Sequence, residues 1–354
     1  MNCLQVLSKR IFFVLLASIT FWFPASASDH PVAEEKTAHE EFIPGEFIID
    51  HIKDSHDWHI LTKKNGEHVS VYLPVILYSQ NSGLNFFMSG KLAHGHSYLG
   101  FAYSEETGKI VEMNEAGETI GTPLDFSITK TVAGMMLAAV VILFLFLRMG
   151  NSYNKTKNIV PKGFNGFLEP MIVFIRDEIA IPNIGHHKYE RFMPYLLTAF
   201  FFILVNNIMG LIPFFPFGAN VTGNIAVTMV LALITFVITQ VSGTKDHWKH
   251  VFATPGVPVW LAPIMIPVEL IGLFSKPFAL MIRLFANITA GHIVVLSLVS
   301  LIFIFKALWV SSVSIPMVLF IDVLEILVAF LQAYVFTLLS ALFIGLAAKE
   351  HHHA

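Results

Sequence analysis

Two apolar stretches, residues 260–305 and 313–348, constrain this chain more than anything else in it. An upright helix needs about 20 apolar residues to cross a hydrocarbon layer. The first stretch runs for 46 residues without a polar turn, so one upright span cannot hold it. Pro263, Pro267 and Pro277 are expected to kink it. Two readings fit its length. One is a pair of packed spans with a tight turn near Ser275-Lys276-Pro277; the other is a long, steeply tilted helix paired with a second one. Composition supports the membrane class in either case. Hydrophobic residues make up 55% and charged residues 13%, with a mean hydropathy of +0.67, whereas a soluble domain carries about 25% charged residues. No basic patch with interleaved aromatics is present, so no nucleic-acid partner is expected. Cys3 is the single cysteine, which excludes a disulfide framework and a multi-cysteine metal site.

The segments upstream differ sharply in character. Residues 1–27 have the form of a secretory signal. Lys9 and Arg10 precede a short apolar run at 11–23, and Ala25-Ser26-Ala27 supplies small residues for a cut before Ser28. An uncleaved anchor helix is the alternative, and both place the next segment outside the cytoplasm. That segment, residues 28–126, holds six lysines against sixteen carboxylates, a basic content low enough for export. The alternation His68-Val69-Ser70-Val71-Tyr72-Leu73 and the Asn65-Gly66 turn predict a few strands. Beyond it lie a span at 129–148, a basic linker at 151–165, and an amphipathic interfacial helix at 166–180. Spans at 191–212 and 222–242 and a polar loop at 243–259 precede the two long stretches. Residues 127–349 thus form a membrane domain and 350–354 a cytoplasmic tail.

The expected fold is an all-α polytopic membrane protein. It has about five transmembrane helices, the last two long and tilted, and a small exported N-terminal domain with some β structure. Basic residues set the orientation. Arg148, Lys155, Lys157, Lys162, Arg176, Lys188 and Arg191 all fall between the first two spans, whereas the loop after the second span has none. The C-terminus is therefore expected in the cytoplasm. The expected location is the plasma membrane, taken as a bacterial inner membrane. No internal repeat is visible, which weighs against transporters built from inverted repeats.

Ionisable groups inside a bilayer are costly and mark function. The first long stretch carries Glu269, Lys276, Arg283 and His292, and the second carries Asp322 and Glu325; Asn287 and Gln332 are neutral companions. Glu269, Lys276 and Arg283 repeat every seven residues and share a helix face, with Asn287 four beyond. His292, nine beyond Arg283, points to the opposite side at about 100° per residue. Asp322, Glu325 and Gln332 form one stripe. An arginine stays charged and cannot relay a proton by titrating, whereas histidine and tuned carboxylates can. A histidine and two carboxylates on facing helices therefore suit a proton path. The structural alternative is a set of polar contacts gluing helices together. Half of the sixteen histidines lie in the exported segment, among them His51, His56, His59, His94 and His96; solvated surface positions suit them better than a metal site. His351-His352-His353 suits a polar stop at a helix end better than a metal clamp. No HExxH, GxSxG or P-loop sequence occurs, so intramembrane proteolysis and direct nucleotide chemistry have no support.

These residues lie in segments that resemble subunit a of the rotary F-type ATP synthase. The resemblance covers roughly residues 127–349. It rests on Ser275-Lys276-Pro277-Phe278-Ala279-Leu280-Met281-Ile282-Arg283-Leu284-Phe285-Ala286-Asn287-Ile288-Thr289-Ala290-Gly291-His292 and on Leu331-Gln332-Ala333-Tyr334-Val335-Phe336. Asn206-Asn207-Ile208-Met209-Gly210-Leu211-Ile212-Pro213 and Thr222-Gly223-Asn224-Ile225-Ala226 support it. The resemblance implies a non-catalytic stator chain that forms two offset proton half-channels against a rotating c-ring. Arg283 would separate the half-channels, with Asn287 and Gln332 beside it. His292 and Glu325 would serve the outer half-channel and Glu269 the inner. Asp322 joins this proton-path set, with Lys276 and Asn207 secondary to it. Many bacterial members carry the acid and the histidine in exchanged places, so His292 and Glu325 read as a compensated swap of mitochondrial type. Implied partners are the c-ring subunits, subunit b of the stator stalk, other ATP synthase subunits, the lipid bilayer and protons, with no cofactor and no metal. A stand-alone proton- or cation-coupled transporter and a structural scaffold are the alternatives. The long exported segment departs from shorter members of the family.

Overall fold

The computed structural model describes residues 45, 48–49, 52–62, 68–104, 108–114, 119–155, 163, 165–212, 215–252 and 259–349. The signal-like segment at 1–27, the Asn65-Gly66 turn and the tail at 350–354 lie outside them.

The N-terminal part is β structure. Strands β1 (Asp57–Thr62) and β2 (His68–Tyr72) pair antiparallel, in agreement with the alternation read at 68–73. Strands β3 (Pro74–Ser79), β4 (Gly83–Met88) and β8 (Leu124–Asp125) form a second sheet in the order β4-β3-β8. A third sheet runs β5 (Phe101–Tyr103), β6 (Ile110–Met113) and β7 (Thr119–Gly121). Period-two alternation decides which side chains go inward. Val75 and Leu77 of β3 are fully buried and pack with Phe87, Leu92, Phe101 and Ile110.

One histidine–carboxyl contact ties the end of this region to its beginning. His56 Nε2 lies 2.8 Å from Asp125 Oδ2. Burial alone would raise the Asp125 carboxyl, but hydrogen bonds from the His56 and Ser127 side chains outweigh it, and the Ser127 backbone N–H adds to them. Together they hold Asp125 at about 2. Burial, then the charges of Asp57 and Asp125, push the nearby Tyr103 hydroxyl upward.

The remainder is helical. Helix α1 (Lys130–Lys155) runs seven residues past Arg148, beyond the end expected at 148. Its Val140, Leu143, Phe144 and Leu147 remain exposed, as lipid-facing residues do. Helix α2 (Asn165–Phe174) continues through a π-helical turn (Ile175–Ala180) into α3 (Ile181–Ile184). This stretch was expected to rest its apolar face on the membrane interface. Instead Leu168, Ile175, Ile179 and Ala180 enter the main helical core. Helix α4 (Tyr189–Gly210) supplies the largest share of that core, including the fully buried Leu196, Phe200 and Ile203. Helix α5 (Ile225–Val241) is capped by Asn224, whose Oδ1 accepts from Ala226 N at 3.0 Å. The segment expected as a plain polar loop carries α6 (Lys245–Phe252), bent by 105° from α5.

The last two elements are α7 (Ala262–Phe305) and α8 (Leu308–Ala348). The long-helix reading of 260–305 therefore holds, and Pro267 and Pro277 sit inside one continuous helix. At 1.5 Å per residue α7 is ~66 Å long. A straight helix of that length fits a layer of ~30 Å only when tilted by roughly 60°. By length and composition α1, α4, α7 and α8 can each cross a membrane, and α5 with α6 makes a possible fifth span. The C-terminal carbonyls of α8 are capped by other segments. Lys188 Nζ donates to Ala348 O at 2.9 Å, and Thr244 N to Ala347 O at 3.0 Å. These contacts bring the start of α4 and the end of α5 to the end of α8.

The Asp125 pair makes a signed prediction. A carboxyl held at about 2 rather than at its ordinary 3.8 stabilises the folded form above the ordinary value. That contribution is lost as pH falls through the folded value. Hydrogen exchange in β3 and β8 of the full chain, corrected for intrinsic rate, is expected to quicken between pH values of about 4 and 2. Asp125→Asn should remove that step. Flat protection across the window in the unaltered chain would contradict it.

Candidate functional site

Polar groups from three helices and one loop meet around a cleft of about 10 Å³, room for roughly one water. Helix α4 contributes Asn206 and Asn207, and the α4–α5 loop contributes Asn220 and Thr222. Helix α7 contributes Asn287 and His292, and α8 contributes Glu325. Asn207 is the brace. It is 3% exposed, donates from Nδ2 to Ala329 O of α8 at 3.3 Å, and accepts at Oδ1 from Thr222 Oγ1 at 2.6 Å. One side chain thus joins α4, α8 and the loop. The Asn220 Oδ1 accepts from Gly223 N at 3.0 Å, which leaves its amide nitrogen free to turn elsewhere.

Among the described residues, Asn206 Oδ1, Asn220 Nδ2 and Glu325 Oε1 are buried without a hydrogen-bond partner. All three belong to residues on the cleft wall. A buried polar atom is costly to leave without a partner, and the cleft these three residues line is the size of one water. Glu325 rests directly on α7: a Cβ added to Gly291 would collide with Glu325 Oε1. Glycine inside a helix costs about 1 kcal/mol relative to alanine. Here it lets the carboxylate settle against the α7 backbone, in the cleft that His292 also lines.

The remaining predicted residues fall elsewhere. Arg283 is exposed on α7 and makes no ion pair or hydrogen bond with any described residue. It does not border the cleft, as its spacing from His292 implies. The same spacing puts Asn287 on the arginine face, yet Asn287 also edges the cleft that holds His292. Glu269 lies near the other end of α7, with Oε1 3.6 Å from His250 Nδ1 of α6. From Glu269 to His292 is 23 residues, a rise of ~35 Å along the helix. Lys276 stands over the Phe343 ring of α8, 5.7 Å from its centroid. Gln332 is buried at 6% exposure, and Asp322 is half-buried one turn before Glu325. The stripe predicted for α8 is the face it turns inward.

Sequence reasoning passed over three contributors. Asn220 lies in a loop, where an asparagine attracts no notice. Gly291 could have been flagged as a glycine inside an apolar helix next to a histidine. His250 was hidden in a segment read as loop. A second polar cluster was also missed. Tyr195 Oη lies 2.5 Å from Thr235 Oγ1, which is 3.4 Å from Ser340 Oγ; these hydroxyls join α4, α5 and α8.

Long apolar helices around an intramembrane polar site define a multi-pass membrane protein. The comparisons make this specific. The family described as ATP synthase A chain matches residues 133–345, and the chain belongs to that family. Residues 47–126 match a domain of unknown function (DUF8433). ATP synthase subunit a of Chloroherpeton thalassium is 53% identical over 233 residues, 65% of this chain and 69% of its own length. The subunit a of Myxococcus xanthus is 50% identical over 252 residues, 68% and 81% of the two chains.

The contact between α7 and α8 can be checked directly. In a Cys3→Ser background, Gly291→Cys with Glu325→Cys is expected to form an oxidative cross-link in membranes. A Cβ at 291 would lie 3.3 Å from Glu325 Cγ, within disulfide reach. Arg283→Cys with Glu325→Cys should not cross-link. The reverse pattern would show that α7 presents its other face.

Proposed function

We propose that this chain is the stator subunit that forms two proton half-channels against a rotating c-ring and so couples proton passage to ATP synthesis. Membership of the ATP synthase A chain family supports this reading over a stand-alone transporter. The observation that carries it is the setting of Arg283. The guanidinium is exposed on a membrane helix, with Phe278 and Ile282 exposed near it and no partner of its own among the described residues. A charge at mid-membrane costs at least about 2.5–3.5 kcal/mol unless something meets it. A carboxylate on another chain would meet it, and the exposed Ala279, Ala286 and Ala290 beside it leave room for a close approach.

A permanent partner would trap the rotor, because a buried ion pair resists being broken. A partner that arrives, loses its proton and moves on would not. The outer half-channel is then the cleft, where Glu325 and His292 exchange protons and Asn287, Asn207 and Asp322 keep the path polar. The inner half-channel runs past Glu269, with Lys276 and His250 near it. Arg283 lies between, ~14 Å along α7 from His292 and ~21 Å from Glu269. Gln332 fills the α8 side of that barrier. Each charge carried across 100 mV is worth about 2.3 kcal/mol, so a leak past the arginine would waste the gradient.

In this reading the signal segment is removed, the β region lies outside the plasma membrane of a bacterium, and the C-terminus is cytoplasmic. The basic linker and inner loops face the cytoplasm, where subunit b and the rest of the stalk assemble.

Arg283→Ala and Arg283→Lys are each expected to abolish ATP-driven proton pumping in membrane vesicles while the complex still assembles. Normal pumping by either variant would sink the mechanism. Exchanging the pair as His292→Glu with Glu325→His should impair pumping less than either single change, since one acid and one base remain. A double variant worse than both singles would refute the pairing.

A further inference from the structure

The N-terminal β region touches the cleft's own scaffold through a tryptophan. Trp58 of β1 is 6% exposed and packs with Ala219 and Val221 of the α4–α5 loop. Its indole N–H donates to Phe217 O at 3.1 Å, and its ring meets Phe215 edge-on with centroids 5.5 Å apart. The next residues of that loop are the ones that matter to the cleft. Asn220 lines it, and Thr222 lines it while donating to the brace Asn207.

The strand that carries Trp58 is itself anchored. Asp54 Oδ1 accepts from Thr131 N at 3.0 Å, and Ser55 O from Lys130 N at 2.8 Å. Both donors belong to the first turn of α1, where backbone N–H groups have no helical acceptor. Helix α1 in turn lies flush against the loop: a Cβ on Gly134 would sit 2.6 Å from Ala219 Cβ. The β1 strand, the first turns of α1 and the loop therefore form one packed block. Loops are ordinarily the mobile parts of a fold, and a buried indole with its N–H satisfied is among the strongest side-chain anchors available.

We propose that Trp58 is a positioning residue for proton passage. The β region acts as a clamp on the α4–α5 loop, and the clamp holds Asn220 and Thr222 in the register that Asn207 and Glu325 require. This rests on the reading of the cleft as the outer half-channel. It gives the N-terminal region a task inside the membrane site rather than beside it.

The test uses the intact ATP synthase reconstituted in liposomes, with ATP synthesis driven by an imposed gradient. The pH on the β-region side is varied at fixed pH on the other, then the reverse. Trp58→Ala is expected to lower the rate about tenfold, less than the roughly hundredfold that a misplacement of about 1 Å at the reacting groups themselves can cost. It should also displace the pH profile on the β-region side and leave the opposite profile in place. Assembly and the uncoupled ATP hydrolysis of the detergent-solubilised complex should not change. Trp58→Phe keeps the ring and loses the N–H donor, so a smaller shift in the same profile is expected. Trp58→Ala combined with Thr222→Ala should be little worse than the more severe single change, because both act through one loop.

An assembled Trp58→Ala complex with wild-type rate and profile overturns the proposal, as do equal shifts on both sides. If Trp58→Ala fails to assemble, Trp58→Phe decides: a wild-type profile refutes the clamp and a one-sided shift supports it. His292→Ala and Glu325→Gln in the same assay separate the two levels. If neither moves the profile on the β-region side, the half-channel reading fails; if they move it and Trp58 variants do not, only the clamp fails.

Discussion

A helix of ~66 Å confined to a layer of ~30 Å is the constraint from which the rest of the structure follows. It cannot stand upright, so α7 lies across the membrane and α8 lies with it. A tilted helix separates its residues sideways as well as in depth. Glu269 and His292 are therefore displaced laterally as well as in depth, and Arg283 falls between them on a flank that no other described element covers. An upright span would have stacked all three groups along one narrow column. The tilt converts a sequence interval into an offset between two polar regions, and an offset is what two half-channels need.

The same constraint explains the polar contacts. In a hydrocarbon surrounding, each buried polar group has to find its partner within the protein. Asn207 does so twice, and the Tyr195–Thr235–Ser340 hydroxyls satisfy one another. Against this background of satisfied groups, the free atoms of Asn206, Asn220 and Glu325 stand out. Among the described residues Thr289 Oγ1 is a fourth such atom and lies off the cleft wall, whereas these three belong to residues that line one space.

Much of this was legible in the amino-acid sequence because membrane residence simplifies the reading. Charges at 269, 276, 283, 292, 322 and 325 are conspicuous in an apolar run, and helical periodicity alone predicts that Arg283 and His292 diverge. Whether 260–305 is one helix or two was not legible, because Pro267 and Pro277 suit a kink, a turn or a tolerated interruption equally. The fate of Ile175 and Ile179 was not legible either, since an apolar stripe looks the same whether lipid or protein covers it. The cleft itself escaped because it is assembled from α4, a loop, α7 and α8, and no local pattern encodes that meeting. The role of Trp58 is of the same kind: it depends on a contact spanning 159 positions.

The capping of α8 has a mechanical side. Lys188 and Thr244 hold its last carbonyls from two different segments, so this end is tied to the start of α4 and to the α5–α6 connection. A stationary element beside a rotor carries a tangential drag at every step. A long helix loaded along its flank behaves as a beam, and a beam clamped at one end deflects far less than one pinned only by lateral friction. In the proposed stator role, the two caps therefore brace the surface against which a ring would turn.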